Sequence, residues 1–260
     1  MRIAFIGAER VGLACLRKLL ELKADVVGVF TADESLRPKI ADFVTFDPVA
    51  AVLPVPLLKI TDSRAAGFIR QIRECRPDLV VVASWSQKIP EEITKLPAKG
   101  CVGIHYSLLP QRRGGAPLFW AITEGLTESG LSLFYLNGET DAGDVIAQKT
   151  FPIGPGDTSK TLLDKIEKLA PELLAEQLEA IRQGTAPRKP QREDLVSVTK
   201  TRRPEQSRLP EGLSLQELDR FIRALSPPYP SAFAQVGGLK LVFTSSRWEE
   251  GKLRVEGYFE

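Results

Sequence analysis

The sequence predicts an α/β fold, with a Rossmann-like, mostly parallel sheet that has helices on both faces and a small β-containing C-terminal subdomain. Short apolar runs alternate with amphipathic stretches over residues 1–185, and parallel strands need such helical crossovers between them. Residues 186–211 are instead rich in proline, arginine and glutamine without periodicity, which predicts a linker. Residues 212–260 then form the predicted subdomain.

The elements of the first half follow from the spacing of apolar residues. Residues 2–7 predict a buried strand that ends in glycine, 11–22 a helix and 25–30 a second strand, so the chain opens with a strand–helix–strand unit. The stretch 79–83, with the sequence LVVVA, is apolar throughout and predicts a central strand. The elements between these two regions are a strand at 55–60 and a helix at 65–75.

The second half continues the alternation and includes one long helix. Apolar residues at helical spacing fill 158–183, and Gly184 follows them in the position where glycine commonly ends a helix. Pro171 lies inside this stretch and is a place where the helix could kink. The other predicted elements are strands at 101–105, 131–136, 145–151 and 239–243 and helices at 116–124 and 215–225, the last with Ser214 as its N-cap.

Composition limits the class of protein. Hydrophobic residues make up 43% and charged residues 26% of the 260 residues, and the net charge of +2 is a weaker basic excess than nucleic-acid binders usually show. The three cysteines lack CxxC spacing, so neither a disulfide framework nor a metal site is expected. There is no apolar run of about 18 residues and no signal-peptide pattern. A cytoplasmic protein with no membrane partner is therefore expected.

The turn after the first predicted strand carries Gly7 and Gly12 but lacks the middle glycine of the GxGxxG dinucleotide motif. A tight strand-to-helix turn is therefore favoured over a nicotinamide site. Backbone N–H groups at the start of the helix, with Arg10 beside them, can also hold a substrate phosphate. Gly7 and Arg10 are accordingly candidate substrate-binding residues, and both interpretations stay open.

His105 is the only histidine of the chain, and it ends a predicted strand, where open α/β sheets bind their ligands. A Leu-Leu-Pro corner and the segment RRGGAP follow it, and an acidic loop at 139–144 lies between two later strands. A histidine and a carboxylate from adjacent loops can cooperate in proton transfer, because the carboxylate favours the protonated imidazole and fixes its tautomer. His105 and Asp141 are therefore the predicted catalytic pair.

Together these motifs resemble those of the folate-dependent formyltransferases, a family that includes sugar N-formyltransferases and methionyl-tRNA formyltransferases. HYSLLPQRRGGAP is similar to the family's HxSLLPxxRGxAP signature and TDAGDVIAQ to its acidic loop, and the likeness covers residues 1–185 as a catalytic domain. The resemblance implies transfer of a formyl group from 10-formyltetrahydrofolate to a primary amine. It implies that His105 stabilises or protonates the developing oxyanion and that Asp141 helps to relay the amine proton.

The resemblance also implies where the folate binds. Residues 84–90, SWSQKIP, match the loop whose backbone receives the pterin. The candidate folate-binding residues are Trp85, Ser86, Gln87, Ile89, Thr140 and Asp141, and the candidate substrate-binding residues are Gly7, Arg10, Ser107 and Arg113. Trp85 also fits a plainer interpretation, a partly buried loop aromatic.

One position departs from the family pattern. The family's third catalytic residue is an asparagine two positions before the histidine, where this chain has Gly103. Losing one such oxyanion donor costs about 3 kcal/mol of transition-state stabilisation. Either Ser107, a backbone N–H or water replaces it, or the protein is slow, has altered chemistry, or binds folate or a nucleotide without turnover.

For the acceptor, the amine of a sugar nucleotide is expected, with methionyl-tRNA as the alternative. The net charge is low, only a short segment follows the linker, and Trp120 stands in a helix where sugar enzymes of the family commonly have a tryptophan. The identity of the sugar and its nucleotide does not follow from the sequence. Nor does the oligomeric state, for which a homodimer is left open.

Overall fold

The computed structural model describes residues 1–260, except for the side chain of Ala50. Its strands are β1 (Arg2–Ile6), β2 (Asp25–Ala32), β3 (Leu57–Ile60), β4 (Leu79–Ala83), β5 (Cys101–His105), β6 (Arg113–Gly114), β7 (Glu128–Tyr135), β8 (Val145–Pro152), β9 (Val198–Thr199), β10 (Phe233–Val236), β11 (Leu239–Glu249) and β12 (Lys252–Phe259). Its α-helices are α1 (Arg10–Glu21), α2 (Asp47–Ala50), α3 (Ala66–Glu74), α4 (Glu91–Thr94), α5 (Pro117–Thr123), α6 (Ser159–Gln183) and α7 (Leu215–Ala224). Short 3-10 helices lie at Glu34–Lys39, Glu193–Leu195 and Pro204–Ser207.

Seven strands form the central sheet, in the order β3-β2-β1-β4-β5-β7-β8. The pairs β2–β3, β1–β2, β1–β4 and β4–β5 are parallel, and β7 runs antiparallel to β5. β4 stands in the middle with every residue buried, as its apolar sequence predicts. A separate three-stranded antiparallel sheet, β10-β11-β12, lies near the C-terminus. The predicted fold class is confirmed.

The core beside the sheet is built from alternate positions of the central strands. Ile6 of β1 and Val80 of β4 lie in one buried cluster with Phe30 and Phe68. The two phenylalanine rings meet edge to face, with centroids 5.5 Å apart. Burying one large apolar side chain stabilises the fold by about 1.5–3 kcal/mol, so this cluster holds β1 and β4 in place.

Two of the three cysteines are buried inside the fold. Cys15 and Cys101 are buried, and Cys75 is partly exposed. Burial raises the pKa of all three thiols. Because the thiolate is the reactive form, these side chains are poor nucleophiles.

The longest helix, α6, runs through Pro171 without interruption and ends before Gly184, whose φ is +77°. That left-handed backbone is the conformation glycine adopts at little cost after a helix. At the start of α7, the Ser214 side chain accepts from the backbone of Glu217, whose carboxylate accepts from the Ser214 backbone in return, which is the predicted cap. None of the described helices is both long and apolar enough to cross a membrane.

The chain divides into two compact units that interleave along the sequence. The first unit comprises Met1–Arg113, Gly130–Lys149 and Ile166–Ser197, and the second comprises Gly114–Ser129, Thr150–Lys165 and Val198–Glu260. The boundaries expected at residues 185 and 211 follow chain order, and pattern alone gives no sign of this interleaving. The division into a catalytic domain, a linker and a subdomain stays a prediction.

Candidate active site

The carboxyl ends of β4 and β5 meet at one edge of the central sheet. The two strands are parallel neighbours, with Ala83 opposite Ile104. The loop that begins at Ser84 and the loop that follows His105 therefore leave the sheet side by side. The strand order also reverses between β1 and β4, and open α/β sheets bind ligands outside such a point.

His105 lies between a carboxylate and a carbonyl oxygen. Its Nδ1 is 3.4 Å from Oδ2 of Asp141, and its Nε2 is 2.7 Å from the carbonyl oxygen of Arg112. Because a carbonyl oxygen can only accept, Nε2 must carry a hydrogen and donate it to Arg112. A second proton, on Nδ1, would face Asp141. The two residues paired by the sequence analysis are thus in contact, with His105 only 8% exposed.

Three non-glycine residues at this edge have a left-handed backbone. The φ angles are +54° at Ser84, +56° at Arg112 and +50° at Asp141. Such a conformation costs roughly 1–2 kcal/mol for an L-residue and persists only where the surroundings hold it in place. Each of the three lies in a loop predicted to form the site, so the strained backbone coincides with the candidate functional residues.

The Leu-Leu-Pro corner after His105 is held by a network of neutral hydrogen bonds. The Ser107 hydroxyl donates to the carbonyl of Gln111 at 2.6 Å. Ser132 of β7 donates to the carbonyl of Ser107 and accepts from the backbone N–H of Leu109. Gln148 of β8 donates to both Leu109 and Ser132. The Ser107 proton is therefore committed to the loop itself, and its predicted contact with substrate stays a prediction.

A glutamine from the predicted linker ties the histidine loop to the acidic loop. Nε2 of Gln191 donates to the carbonyl oxygens of Asp141, at 2.8 Å, and Gly143, at 2.7 Å. Its Oε1 accepts from Nε of Arg113, at 2.9 Å. Arg113, a predicted substrate-binding residue, is buried to 8% exposure and also pairs with Glu193. A polar residue in a segment without periodicity gives no sequence signal, so Gln191 was not anticipated.

The loop after β4 is anchored at its middle. Gln87, one of the candidate folate residues, accepts from the backbone and hydroxyl of Ser63 and donates to the carbonyl of Thr61. Ile89 is buried, whereas Ser86 is exposed. Thr140, in the acidic loop, is also exposed. The structure thus holds the loop in a defined conformation, and contact of these four residues with folate stays a prediction.

Trp85 has an intermediate exposure and packs beside Ala8, Ile40 and Phe43. Its indole nitrogen is buried and has no hydrogen-bond partner among the described residues. A buried N–H without a partner is uncommon in folded proteins. The loop aromatic is therefore partly buried, as the plainer interpretation expects, and also carries an unsatisfied donor.

Two glycines allow α1 to approach the centre of the sheet. A Cβ on Gly7 would lie 2.6 Å from the carbonyl oxygen of Ala83, and one on Gly12 would lie 2.5 Å from the same atom. Real Cβ atoms cannot come that close to backbone, so both positions need glycine. The tight strand-to-helix turn accounts for them, and a substrate contact at Gly7 stays a prediction.

Arg10, at the start of α1, is surrounded by carboxylates. Its Nε lies 3.1 Å from Asp42 and its Nη1 lies 3.2 Å from Glu167. Burial, and then the charge of Asp42, raises the pKa of the neighbouring Glu9 to about 7. Two acidic side chains therefore share one guanidinium, with Glu9 next to Arg10 in the sequence, and phosphate binding by Arg10 stays a prediction.

The position of the missing asparagine is filled by apolar side chains. A Cβ on Gly103 would lie 2.6 Å from Cδ1 of Leu136 and 3.3 Å from Cε1 of Phe134. Gly103 and His105 are two residues apart on β5, so they share one face of the strand. The space beside the histidine that an asparagine side chain would need is thus occupied by two hydrophobic residues.

Known proteins resemble this chain in sequence and in fold. A family model described as formyl transferase matches residues 1–178. A methionyl-tRNA formyltransferase from Myxococcus xanthus is 36% identical over 240 residues, which cover 91% of this chain and 76% of that protein. The structure of a sugar N-formyltransferase from a Shewanella species has a TM-score of 0.76 at 20% identity, covering 96% of this chain and 99% of its own. A methionyl-tRNA formyltransferase from Clostridium thermocellum has a TM-score of 0.74 at 19% identity, covering 100% and 99%.

Proposed function

Because this chain belongs to the formyltransferase family, whose formyl donor is 10-formyltetrahydrofolate, we propose that it formylates the primary amine of an amino sugar nucleotide. The family fixes the reaction and the donor, and the acceptor is the proposal. The main support for this acceptor is that most arginines of the basic segment 188–203 already contact other groups of the protein.

Arg188 stacks on a tyrosine ring, with its guanidinium carbon 3.6 Å from the centroid, and Arg192 pairs with Asp194 at 2.6 Å. Arg202 lies 3.7 Å over the ring of Phe119, and burial lowers its pKa. The segment's other cations, Lys189, Lys200 and Arg203, make no such contact with any residue that the structure describes. Proteins that bind the phosphate backbone of a nucleic acid make roughly 6–10 phosphate contacts. A small acceptor therefore fits this chain better than tRNA.

Folate binding is supported by the loop after β4, where the buried indole nitrogen of Trp85 has no partner among the described residues. A pterin presents ring nitrogens and an oxygen that can accept from such a donor. We therefore assign the loop from Ser84 to Pro90 to the folate. Donor and acceptor would then meet beside His105, because β4 and β5 are neighbours.

In the proposed chemistry, His105 and Asp141 balance the protons of the transfer. As the neutral amine attacks the formyl carbon, the formyl oxygen gains negative charge and the amine nitrogen must lose a proton. The two ring N–H groups of a protonated His105 face Arg112 and Asp141, so the histidine stabilises that oxygen through its positive charge, and Asp141 accepts the amine proton directly or through water. When the oxyanion collapses and the bond to the folate nitrogen breaks, this nitrogen takes up the proton that Asp141 accepted, which restores the carboxylate as the formamide and tetrahydrofolate are released.

Methionyl-tRNA is a second candidate acceptor, favoured by the 36% identity to a methionyl-tRNA formyltransferase. The deciding experiment incubates the protein with 10-formyltetrahydrofolate and, separately, a panel of 3-amino and 4-amino sugar nucleotides and methionyl-tRNA. Formamide product is measured by mass spectrometry, with His105→Ala as the inactive control. We expect product from at least one sugar nucleotide and none from methionyl-tRNA.

Other outcomes of the same experiment contradict the proposal in different ways. Formylation of methionyl-tRNA alone would replace the acceptor. Tetrahydrofolate released at the same rate without any acceptor would indicate hydrolysis. Folate binding without product from any amine would indicate a binding protein, the altered function that the loss of the family asparagine at Gly103 leaves open.

A further inference from the structure

A cavity of about 310 Å³ lies within the second compact unit. It is formed by the C-terminal end of α5, the turn after β8 and one face of α7, with Trp248 of β11 at its side. Its volume is at the lower end of small-molecule binding sites. None of the residues predicted to bind folate or the acceptor lines it.

Two of the charged residues at this cavity neutralise each other. Nε of Arg223 lies 2.9 Å from the carboxylate of Asp219, and both side chains are buried. Asp219 also accepts from the Ser246 hydroxyl, and Arg223 also donates to the carbonyl of Asp157. This ion pair is hydrogen-bonded on both sides, so it forms part of the wall and offers no net charge to a ligand.

Arg220 differs from Asp219 and Arg223, because no carboxylate of the described residues forms an ion pair with it. Its guanidinium lies against Gly125, where a Cβ would come within 2.5 Å of the guanidinium carbon. It makes no hydrogen bond or salt bridge with any described residue and acts only at a distance on the exposed carboxylate of Glu217. Because the Arg220 guanidinium packs against Gly125 and is only partly buried, its N–H groups remain available to bind an oxyanion.

The rest of the lining is apolar and includes a flat ring. Ile122 and Ile153 are buried at 1% and 8% exposure, and Pro155 continues the same wall. Trp248 is 44% exposed, although it lines the cavity. Exposed tryptophan faces bind planar groups by stacking, and such a ring beside a single cation defines a ligand with a flat apolar part and one negative charge.

From these contacts we infer that the cavity is a second binding site, which takes a planar aromatic group carrying one phosphate or carboxylate. The ring stacks on Trp248 and covers the isoleucine wall, and the anionic group binds the N–H edge of Arg220. Gln216 stands at the same face of α7 and can hydrogen-bond a polar edge of the ring. The site does not depend on the acceptor proposed above.

The test follows the indole N–H signal of Trp248 by NMR in the full chain, assigned with Trp248→Phe among the three tryptophans. The probes are uridine monophosphate, adenosine monophosphate and 4-aminobenzoate, with uridine and inorganic phosphate as probes that lack one half of the ligand. We expect a saturable shift with at least one ring anion. Affinity should fall about tenfold or more with uridine or phosphate, since each loses the stack or the charge-assisted bonds.

Arg220→Gln is the matched variant, because it keeps most of the side-chain volume and removes the charge. It should weaken binding about tenfold or more and leave the Trp248 signal of the free protein in place. Preference for the nucleotides or for the carboxylate identifies the source of the anion. Absence of any saturable shift with all ring anions, or an unchanged affinity in Arg220→Gln, would overturn the proposed site.

Discussion

The carboxyl ends of β5 and β1 both carry charged side chains, but the two places balance their charge differently. At β5, His105 contacts the carboxylate of Asp141, and a carbonyl oxygen of Arg112 and the side-chain amide of Gln191 bond this pair. At β1, Arg10 is shared among Asp42 and Glu167, and Glu9 stands next to it with a raised pKa. The first arrangement holds the predicted catalytic pair in contact, and the second leaves an excess of negative charge.

This difference bears on how each place can act. A pair whose partners are held by carbonyl and amide groups keeps its orientation while protons move. An excess of carboxylates instead makes one of them retain its proton near neutral pH, because burial and like charges disfavour the ionised form. A phosphate that binds at Arg10 would have to compete with those carboxylates for the guanidinium.

The largest expected effect comes from breaking the balanced pair. His105→Ala or Asp141→Asn should lower kcat at least about 100-fold, because each removes a general acid–base group. Glu139→Gln removes a carboxylate two residues away in the same loop and should retain wild-type turnover. Formylation rates and thermal unfolding curves are measured for all three. Near-normal turnover in both His105→Ala and Asp141→Asn would contradict the proposed mechanism.

The next effect tests whether the site has been rebuilt around glycine. Gly103→Asn should not raise the formylation rate and should destabilise the fold by about 2 kcal/mol, because its side chain overlaps Leu136. Adding Leu136→Ala should recover part of that stability by opening the space. Urea unfolding and formylation rates are compared for the single and double variants. A clear gain in rate in Gly103→Asn would show instead that the site only lacks its donor.

A smaller effect is expected at Gln191, which links the loop after His105 to the acidic loop at 139–144. Gln191→Glu keeps the acceptor for Arg113 but loses the N–H groups bonded to Asp141 and Gly143. It should lower kcat about tenfold through misplacement of the carboxylate, with the KM for folate unchanged. Arg192→Gln, at the next position, should have no effect because its partner Asp194 is local and exposed. Equal kcat in Gln191→Glu and wild type would rule out a positioning role.

The smallest effect on turnover is expected at β1, where the change alters stability instead. The pKa of Glu9 is raised from 4.5 to about 7 in the folded protein, so the folded state keeps a proton that the unfolded chain has released. Stability should therefore fall as pH rises from about 4.5 to about 7. Glu9→Gln should then be more stable than wild type by roughly 3 kcal/mol at high pH, with the difference shrinking toward low pH.

Urea unfolding at both ends of this pH range measures the effect of Glu9→Gln. The exposed Glu92, changed to glutamine, serves as the control, and its variant should track wild type throughout the range. A difference between Glu9→Gln and wild type that does not change with pH would contradict the assignment of the raised pKa to Glu9.

The sheet was predictable because its elements depend on local spacing. Every residue of LVVVA in β4 is apolar because both faces of a central parallel strand are covered. The approach of His105 and Asp141 was predictable for a related reason. The two motifs that resemble the formyltransferases identify both residues, and a strand that ends at His105 places it at the ligand-binding edge. Some errors lie at element ends, such as β3, which starts at Leu57 and not at residue 55. Other elements, such as β12 at Lys252–Phe259, were not predicted individually.

The sequence by itself therefore determined the class of fold, the family and the identity of the predicted catalytic pair. Only the tertiary structure decided which groups hold that pair and which surround it. Gln191 reaches Asp141 across 50 residues of chain, Glu167 reaches Arg10 across 157, and Leu136 fills the space beside Gly103 from a neighbouring region of the sheet. Periodicity and motifs describe near neighbours along the chain, whereas hydrogen bonds, ion pairs and close packing depend on distances that exist only after the chain has folded.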